Sequence, residues 1–241
     1  MAIKISVIIP TLNEERIIGQ TLAALQPLRL RGHEIIVVDG GSQDASVALS
    51  RRLADRVIIG PPGRSCQMNA GVREAQGEVL LFLHADTLLP AGADRLILLS
   101  MQQQGRVWGR FDVRLSGKHP FFRIIECLMN WRSRLSSIST GDQAIFVKRQ
   151  VLDLVGGFPD VELMEDIGLS RALKSIGAPV CLRERIVTSS RRWEDNGILR
   201  TVARMWSLRL AYFLGFDPQH LARFYQSKFG GSRVQKAKGG E

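Results

Sequence analysis

Asp86 stands near the end of the run VLLFLHADT (79–87), where five consecutive apolar residues give way to polar ones. Such a run reads as a strand buried on both faces, which delivers a carboxylate to its carboxyl end. A carboxylate there can hold a hard divalent cation, the usual means of neutralising phosphate groups. His84 lies two residues earlier and points to the same side; it is a softer ligand, equally suited to packing or to orienting its neighbours. Asp86 or Thr87 capping the next helix accounts for the stretch equally well.

Other loops carry chemistry-bearing residues as well. In VVDGGSQDAS (37–46), Asp39 ends an apolar run and can accept from a uracil imide or a ribose hydroxyl, or simply brace a tight turn with Ser42 or Asp44 as cap. In GPPGRSCQMNAG (60–71), Arg64 and Asn69 open a helix, where a guanidinium can meet a phosphate in bidentate fashion. In ELMEDIGLS (162–170), Glu162, Glu165 and Asp166 cluster at a helix start; they complement its dipole, or one of them removes a proton from an incoming hydroxyl. Upstream, Gly141, Asp142 and Gln143 form a polar loop suited to a hydroxylated acceptor, and downstream Arg191, Arg192 and Trp193 suit a pyrophosphate or a sugar face. PTLNEE (10–15) follows the first apolar run, and Thr11 with Glu14 has the spacing of a capping box. The glycines of a dinucleotide-binding loop are missing there, and no GxxxxGK occurs in the chain.

These loops need a scaffold, and the first hundred residues supply its rhythm. Short β-branched runs at 5–9, 34–38, 56–60 and 79–83 alternate with amphipathic stretches near 15–26, 44–54, 66–75 and 91–103. Alternation of this kind predicts a parallel sheet with helices on both faces. Right-handed crossovers then gather loops 10–15, 39–44 and 84–87 on one edge. Beyond about residue 105 the pattern loosens: strands are expected at 106–115, 144–148, 180–182 and 185–190, and helices at 120–135, 164–177, 195–214 and 218–227. The expected organisation is a single domain over 1–226, with a nucleotide-binding half (1–104) and an acceptor half (105–226), followed by a disordered basic tail at 227–241.

A formal charge of +10 over 241 residues asks for anionic partners, and the C-terminal third holds much of the basic excess. Cys66, Cys127 and Cys181 have neither CxxC spacing nor a nearby histidine pair, which argues against a zinc site and for reduced thiols in a cytoplasmic setting. No apolar run approaches the ~20 residues of a membrane-spanning helix, and the opening MAIKISVIIP is too soon interrupted by proline for a signal peptide.

Together, VIIPTLNEE, VVDGGSQD, LFLHADT, GDQAIFVKR, ELMEDIGLS and RRW stand in the order and approximate spacing of the family 2 glycosyltransferases, inverting enzymes of the GT-A fold, which the chain resembles over most of 3–193. The resemblance implies a nucleotide-diphosphate sugar donor, a uridine diphosphate sugar in the first instance, together with Mg2+ or Mn2+ and displacement with inversion at the anomeric carbon. It assigns Pro10, Thr11, Glu14 and Asp39 to the nucleoside, Arg64 to the nucleoside or its phosphates, and Asp86 to the metal as the last residue of a DxD motif. Asp166, paired with Glu165, corresponds to the catalytic base. His84 replaces the first aspartate of that motif, and Ser189 replaces the glutamine of the QxxRW motif of processive members, leaving Arg192 and Trp193. A single transfer is the expectation, to a hydroxylated and lipid-like acceptor as in small bacterial members.

Two other functions fit parts of the sequence. A sugar nucleotidyltransferase shares the α/β core but needs a glycine- and arginine-rich loop with a lysine where PTLNEE stands. A nucleic-acid-binding protein explains the charge, yet no aromatic stacking platform is interleaved with the basic residues, so no specific nucleic acid is expected. Segment 197–216 places apolar residues at 199, 202, 203, 206, 210 and 213 with Arg200 and Arg204 on another face. It reads as a core-packing helix or as an interfacial helix at the inner face of the cell membrane.

Overall fold

The computed structural model describes residues 3–216, with the side chain of Arg192 excepted. The expected helix at 218–227 and tail at 227–241 lie outside the described residues. Four parallel strands, β1 (Ile5–Thr11), β2 (Glu34–Asp39), β3 (Arg56–Ile59) and β4 (Val79–Phe82), are joined by helices α1 (Glu15–Leu30), α2 (Ser46–Leu53) and α3 (Arg64–Glu74). Every residue of β2 and β4 is buried, as expected for strands covered on both faces.

The chain then adds β5 (Thr87–Leu88), α4 (Ala93–Gln102), β6 (Trp108–Leu115), α5 (Pro120–Ser136), β7 (Phe146–Lys148), α6 (Arg149–Leu154), α7 (Glu165–Ile176) and β8 (Val180–Thr188), and ends with α8 (Arg191–Asn196) and α9 (Ile198–Phe213). The eight strands lie in the order β3-β2-β1-β4-β7-β6-β8-β5. β7 is antiparallel to both β4 and β6, while β8 runs parallel to β6. The sheet is mixed in its second half. The two short strands expected at 180–182 and 185–190 are one strand, and the pairing slips a register between Phe111 and Asp112, which absorbs the irregularity. The helix expected over 195–214 breaks at Gly197, whose φ of 81° a residue with a Cβ rarely adopts.

Two apolar layers sandwich the sheet. Ile5, Val7, Ile9, Ile35 and Leu81 face α1 and α4, whereas Ile8, Ile36, Val38, Leu80 and Phe82 face α3 and α7. α3 lies especially close to the strands: a Cβ on Gly71 would stand 2.4 Å from Cγ2 of Ile8. A smaller third cluster, Leu115, Phe122 and Trp193, joins α5 to α8 and α9.

Candidate active site

The loops after β1 and β2 are laced together. Asp39 is 1% exposed, and its Oδ2 accepts from the backbone N–H of Gly41 (2.9 Å) and Ser42 (2.8 Å), while Oδ1 accepts from Ser42 Oγ at 2.5 Å. One lone pair on Oδ1 is left over from these three bonds. The expected Thr11–Glu14 capping box does not form: Thr11 is the last, buried residue of β1, and Asn13 turns the chain at φ 53°. The orphan donors at the start of α1 are met from the other loop, with Ser42 Oγ accepting from Asn13 N, Ser46 Oγ from Glu14 N and Asp44 Oδ2 from Glu15 N. Gln67, buried on α3, locks this edge by donating from Nε2 to the carbonyls of Thr11 (2.9 Å) and Val38 (2.7 Å). The sequence reading missed Gln67, because a glutamine one turn into a helix ordinarily faces solvent.

Asp86 arrives at the same edge. Its side chain is 27% exposed, and Arg191 Nη2 lies 3.8 Å from its Oδ2 and 3.1 Å from Glu14 Oε2. Arg191 thus joins the first-strand loop to the fourth. The ring of His84 turns toward the 141–143 segment, with Nδ1 3.3 Å from Asp142 Oδ1. A Cβ on Gly141 would come within 2.4 Å of His84 Nε2, so only glycine lets the imidazole lie over this backbone.

Across from it, Gly141 N donates to Asp166 Oδ2 at 2.8 Å, and Ile167 N donates to Asp166 Oδ1 at 2.7 Å. The carboxylate is therefore held in one orientation at the first turn of α7. Met164 precedes it in the left-handed region at φ 67°, a conformation that costs a residue with a side chain about 1–3 kcal/mol and that aims the Glu165–Asp166 pair inward. Glu165 is buried beside it; desolvation, then the Asp166 charge, push its carboxyl above the usual range, while Arg64 at 3.9 Å and His84 oppose that shift.

Some expected site residues are used differently. Gln143 is fully buried, and its Oε1 accepts from Thr140 N at 3.2 Å, so it shapes the turn rather than presenting a face to an acceptor. Trp193 is 8% exposed among Leu115 and Phe122, which makes its indole a packing surface rather than an open platform for a sugar. Asn69 closes the 156–158 turn through reciprocal bonds with the Phe158 backbone. The Arg192 side chain lies outside the described residues. Pro10 is half-buried beside Val38, and Arg64 opens α3 with its guanidinium half exposed.

A mixed sheet whose parallel half gathers Asp39 and Asp86 at its carboxyl edge, completed by an antiparallel β7 and an acidic helix start, defines the GT-A architecture. Solved structures agree. The mannosyltransferase PcManGT from Pyrobaculum calidifontis, in complex with GDP-Man and Mn2+, superposes with a TM-score of 0.61 at 22% identity, over 94% of this chain and 65% of that one. Glucosyl-3-phosphoglycerate synthase from Mycobacterium tuberculosis, in complex with Mn2+, uridine-diphosphate and phosphoglyceric acid, does so with a TM-score of 0.62 at 18% identity, over 90% of this chain and 80% of that one. The profile of Glycosyl transferase family 2 matches residues 6–158, and the chain belongs to that family. Among curated relatives, the probable glycosyltransferase YdaM of Bacillus subtilis (strain 168) is 29% identical over 220 residues, 80% of this chain and 51% of the relative. An undecaprenyl-phosphate 4-deoxy-4-formamido-L-arabinose transferase of Pseudomonas aeruginosa is 28% identical over 134 residues, 46% of this chain and 40% of the relative. The chain spans about half the length of the curated relatives it matches.

Proposed function

We propose that this chain transfers a hexose from a nucleotide-diphosphate sugar, first among them a uridine diphosphate sugar, to a hydroxyl of a lipid-like acceptor, with inversion at the anomeric carbon. One observation carries the reading: the 141–143 turn touches both chemical ends of the site, His84 of the Asp86 loop on one side and Asp166 on the other.

In this reading Pro10, Thr11, Glu14 and Asp39 frame the nucleoside, with the remaining Oδ1 lone pair of Asp39 accepting from it. Arg64 meets the phosphates. Asp86 is a hard oxygen donor, partly exposed at the strand end, and among the described residues no group of three or more His, Cys, Asp or Glu surrounds it. One carboxylate completed by substrate phosphate oxygens and water suits Mg2+ or Mn2+, so Asp86 would hold the cation. When bound, the cation stabilises the negative charge left on the departing diphosphate. Arg191 lies between Asp86 and Glu14, where it balances their charge and meets the same phosphates as the donor enters.

Asp166 is the base. Its two backbone donors leave lone pairs free to accept the hydroxyl proton as the acceptor oxygen bonds to the anomeric carbon. The bond from that carbon to the diphosphate oxygen breaks on the opposite face, and its electron pair leaves with the diphosphate. Gly141 and Asp142 border the acceptor. The Pseudomonas relative, named as an undecaprenyl-phosphate transferase, supports a lipid acceptor. Such an acceptor would place the work at the cytoplasmic face of a membrane, reached by peripheral contact; no helix among the described residues is long and apolar enough to cross one.

Replacing Asp166 by Asn tests the mechanism. Transfer should fall about 10²–10⁴-fold, the range for a lost general base, with donor affinity within about twofold of the parent. Asp86→Ala should instead weaken Mn2+-dependent donor binding about tenfold or more, read by thermal shift. Transfer at the parent rate by the Asp166→Asn protein would remove the mechanism.

A further inference from the structure

Helices α5 and α9 run beside each other with a groove between them. Leu128 and Met129 of α5 face Val202, Met205 and Trp206 of α9, and Trp193 lies in the floor. Apolar side chains line its length, but one end carries two arginines, Arg132 and Arg209. Buried Nε and Nη2 of Arg132 make no hydrogen bond. A guanidinium in that state is costly, since each desolvated donor forfeits its water without replacement. Burial and the neighbouring Arg209 pull the Arg132 guanidinium down to about 10, against the opposing pull of Asp166. The groove therefore ends in two like charges, in electrostatic reach of the carboxylate to which the proton transfer is assigned. Ser133 Oγ, on the next residue of α5, is also buried and unpartnered, whereas buried polar groups ordinarily find partners.

We infer that the groove between α5 and α9 is the acceptor subsite and takes an anionic amphiphile, its hydrocarbon chain along Leu128, Met129 and Trp206 and its anionic headgroup between Arg132 and Arg209. Charge complementarity selects this occupant over a neutral lipid: two adjacent guanidinium groups, one with unused donors, want an anion with several acceptor oxygens. The groove also opens among exposed apolar side chains, Leu128 and Trp131 on α5 and Trp206 and Leu210 on α9, by which a chain anchored in a bilayer can enter from the side. Arg171 of α7 stacks on the rings of Tyr212 and Phe213, which ties the far end of α9 to the helix that carries Asp166. The inference deepens the glycosyltransferase reading and rests on it for the role of Asp166 and for a lipid-like acceptor.

Decyl phosphate is a suitable probe for the full chain, with decyl maltoside and inorganic phosphate as its neutral and tail-less counterparts. Trp206 and Trp193 line the groove, so tryptophan fluorescence reports its filling. Decyl phosphate should bind at least about tenfold more tightly than either counterpart, and Arg132→Gln should bring it down to the level of decyl maltoside. Arg209→Gln gives the same answer if Arg132→Gln does not fold, and Leu128→Glu should abolish the response by placing a like charge in the wall. Donor binding, followed separately by thermal shift with Mn2+ and uridine diphosphate, should be unchanged in all three variants, so failure of the donor site and failure of this inference are distinguishable. Equal binding of inorganic phosphate would mean a free-anion site, and equal binding of decyl maltoside an apolar face without charge selection. Either result overturns the proposal, as does a dimer in solution whose dissociation is required before decyl phosphate binds.

Discussion

At the scale of single residues, the site is a set of carboxylates in different environments. Asp39 is clasped by its own turn, Asp86 opens toward solvent beside Arg191, and Asp166 is oriented by two backbone donors. Glu165 is the outlier, since desolvation and the Asp166 charge raise its carboxyl above the ordinary value of 4.5. A raised carboxyl in the folded chain makes ionisation unfavourable there, so its contribution to stability is complete below the unfolded value and is lost as pH climbs through the folded one. Glu165→Gln removes the ionisation. The variant should match the parent in melting temperature near pH 4 and exceed it increasingly as pH rises to neutrality, by roughly 2–4 °C if the difference is near 1 kcal/mol. Calorimetry across that pH range decides it, and a gap that stays constant with pH would exclude the burial argument. The identities of Asp86, Asp166 and Asp39 were legible as strand-end or helix-start carboxylates. Their partners were not, because Gln67, Arg191 and the Gly141 backbone come from elements remote in sequence.

At the scale of elements, the parallel half follows from its apolar periodicity, with strands and helices within a few residues of expectation. The second half was harder to read. The short α6 and α8 carry too few residues for a periodic signal, as does the two-residue β5 of the first half, whereas the strand expected at 144–148 is present as β7 and pairs antiparallel with both β4 and β6. Close packing of α3 on the sheet gives the sharpest prediction at this scale. Gly71→Ala should destabilise by about 1–3 kcal/mol, because the added methyl meets Ile8 and Val38 and must lift the helix. The displacement also moves Gln67 off the Thr11 and Val38 carbonyls, so nucleotide binding should weaken in step. Gly19→Ala on α1 has no atom within 4 Å of the new methyl and should stabilise by about 0.5–1 kcal/mol. Equal effects of the two substitutions in urea unfolding would contradict this account.

For the molecule as a whole, surface character matters as much as the site. α5 exposes Phe121, Ile124, Leu128, Trp131 and Leu135 at alternating spacings of three and four, and α9 exposes Leu199, Trp206, Leu210 and Phe213. Neither reading of segment 197–216 is complete: Thr201 and Leu208 are buried and Val202 and Met205 pack inward, yet a second apolar stripe faces outward. With a formal charge of +10, such a surface should bind anionic vesicles at low ionic strength. Co-sedimentation with phosphatidylglycerol vesicles should exceed that with phosphatidylcholine about tenfold or more at low salt and fall sharply by 0.5 M. Trp131→Ser with Trp206→Ser should remove the remainder that salt leaves behind. Indifference to both lipid charge and these tryptophans would leave the stripes without a membrane role.

The sequence alone determined the α/β rhythm, the edge on which the strand-end loops gather and the family. Periodicity and loop chemistry are local, and six motifs in order are visible without coordinates. Only the tertiary structure decided how those motifs are used: that the start of α1 is capped by the loop after β2, that His84 turns to the 141–143 segment, and that Trp193 belongs to a packing cluster. It alone brings Arg132 and Arg209 together at the end of a groove. Contacts between elements far apart in sequence depend on the twist and order of the sheet, and no run of residues encodes them locally.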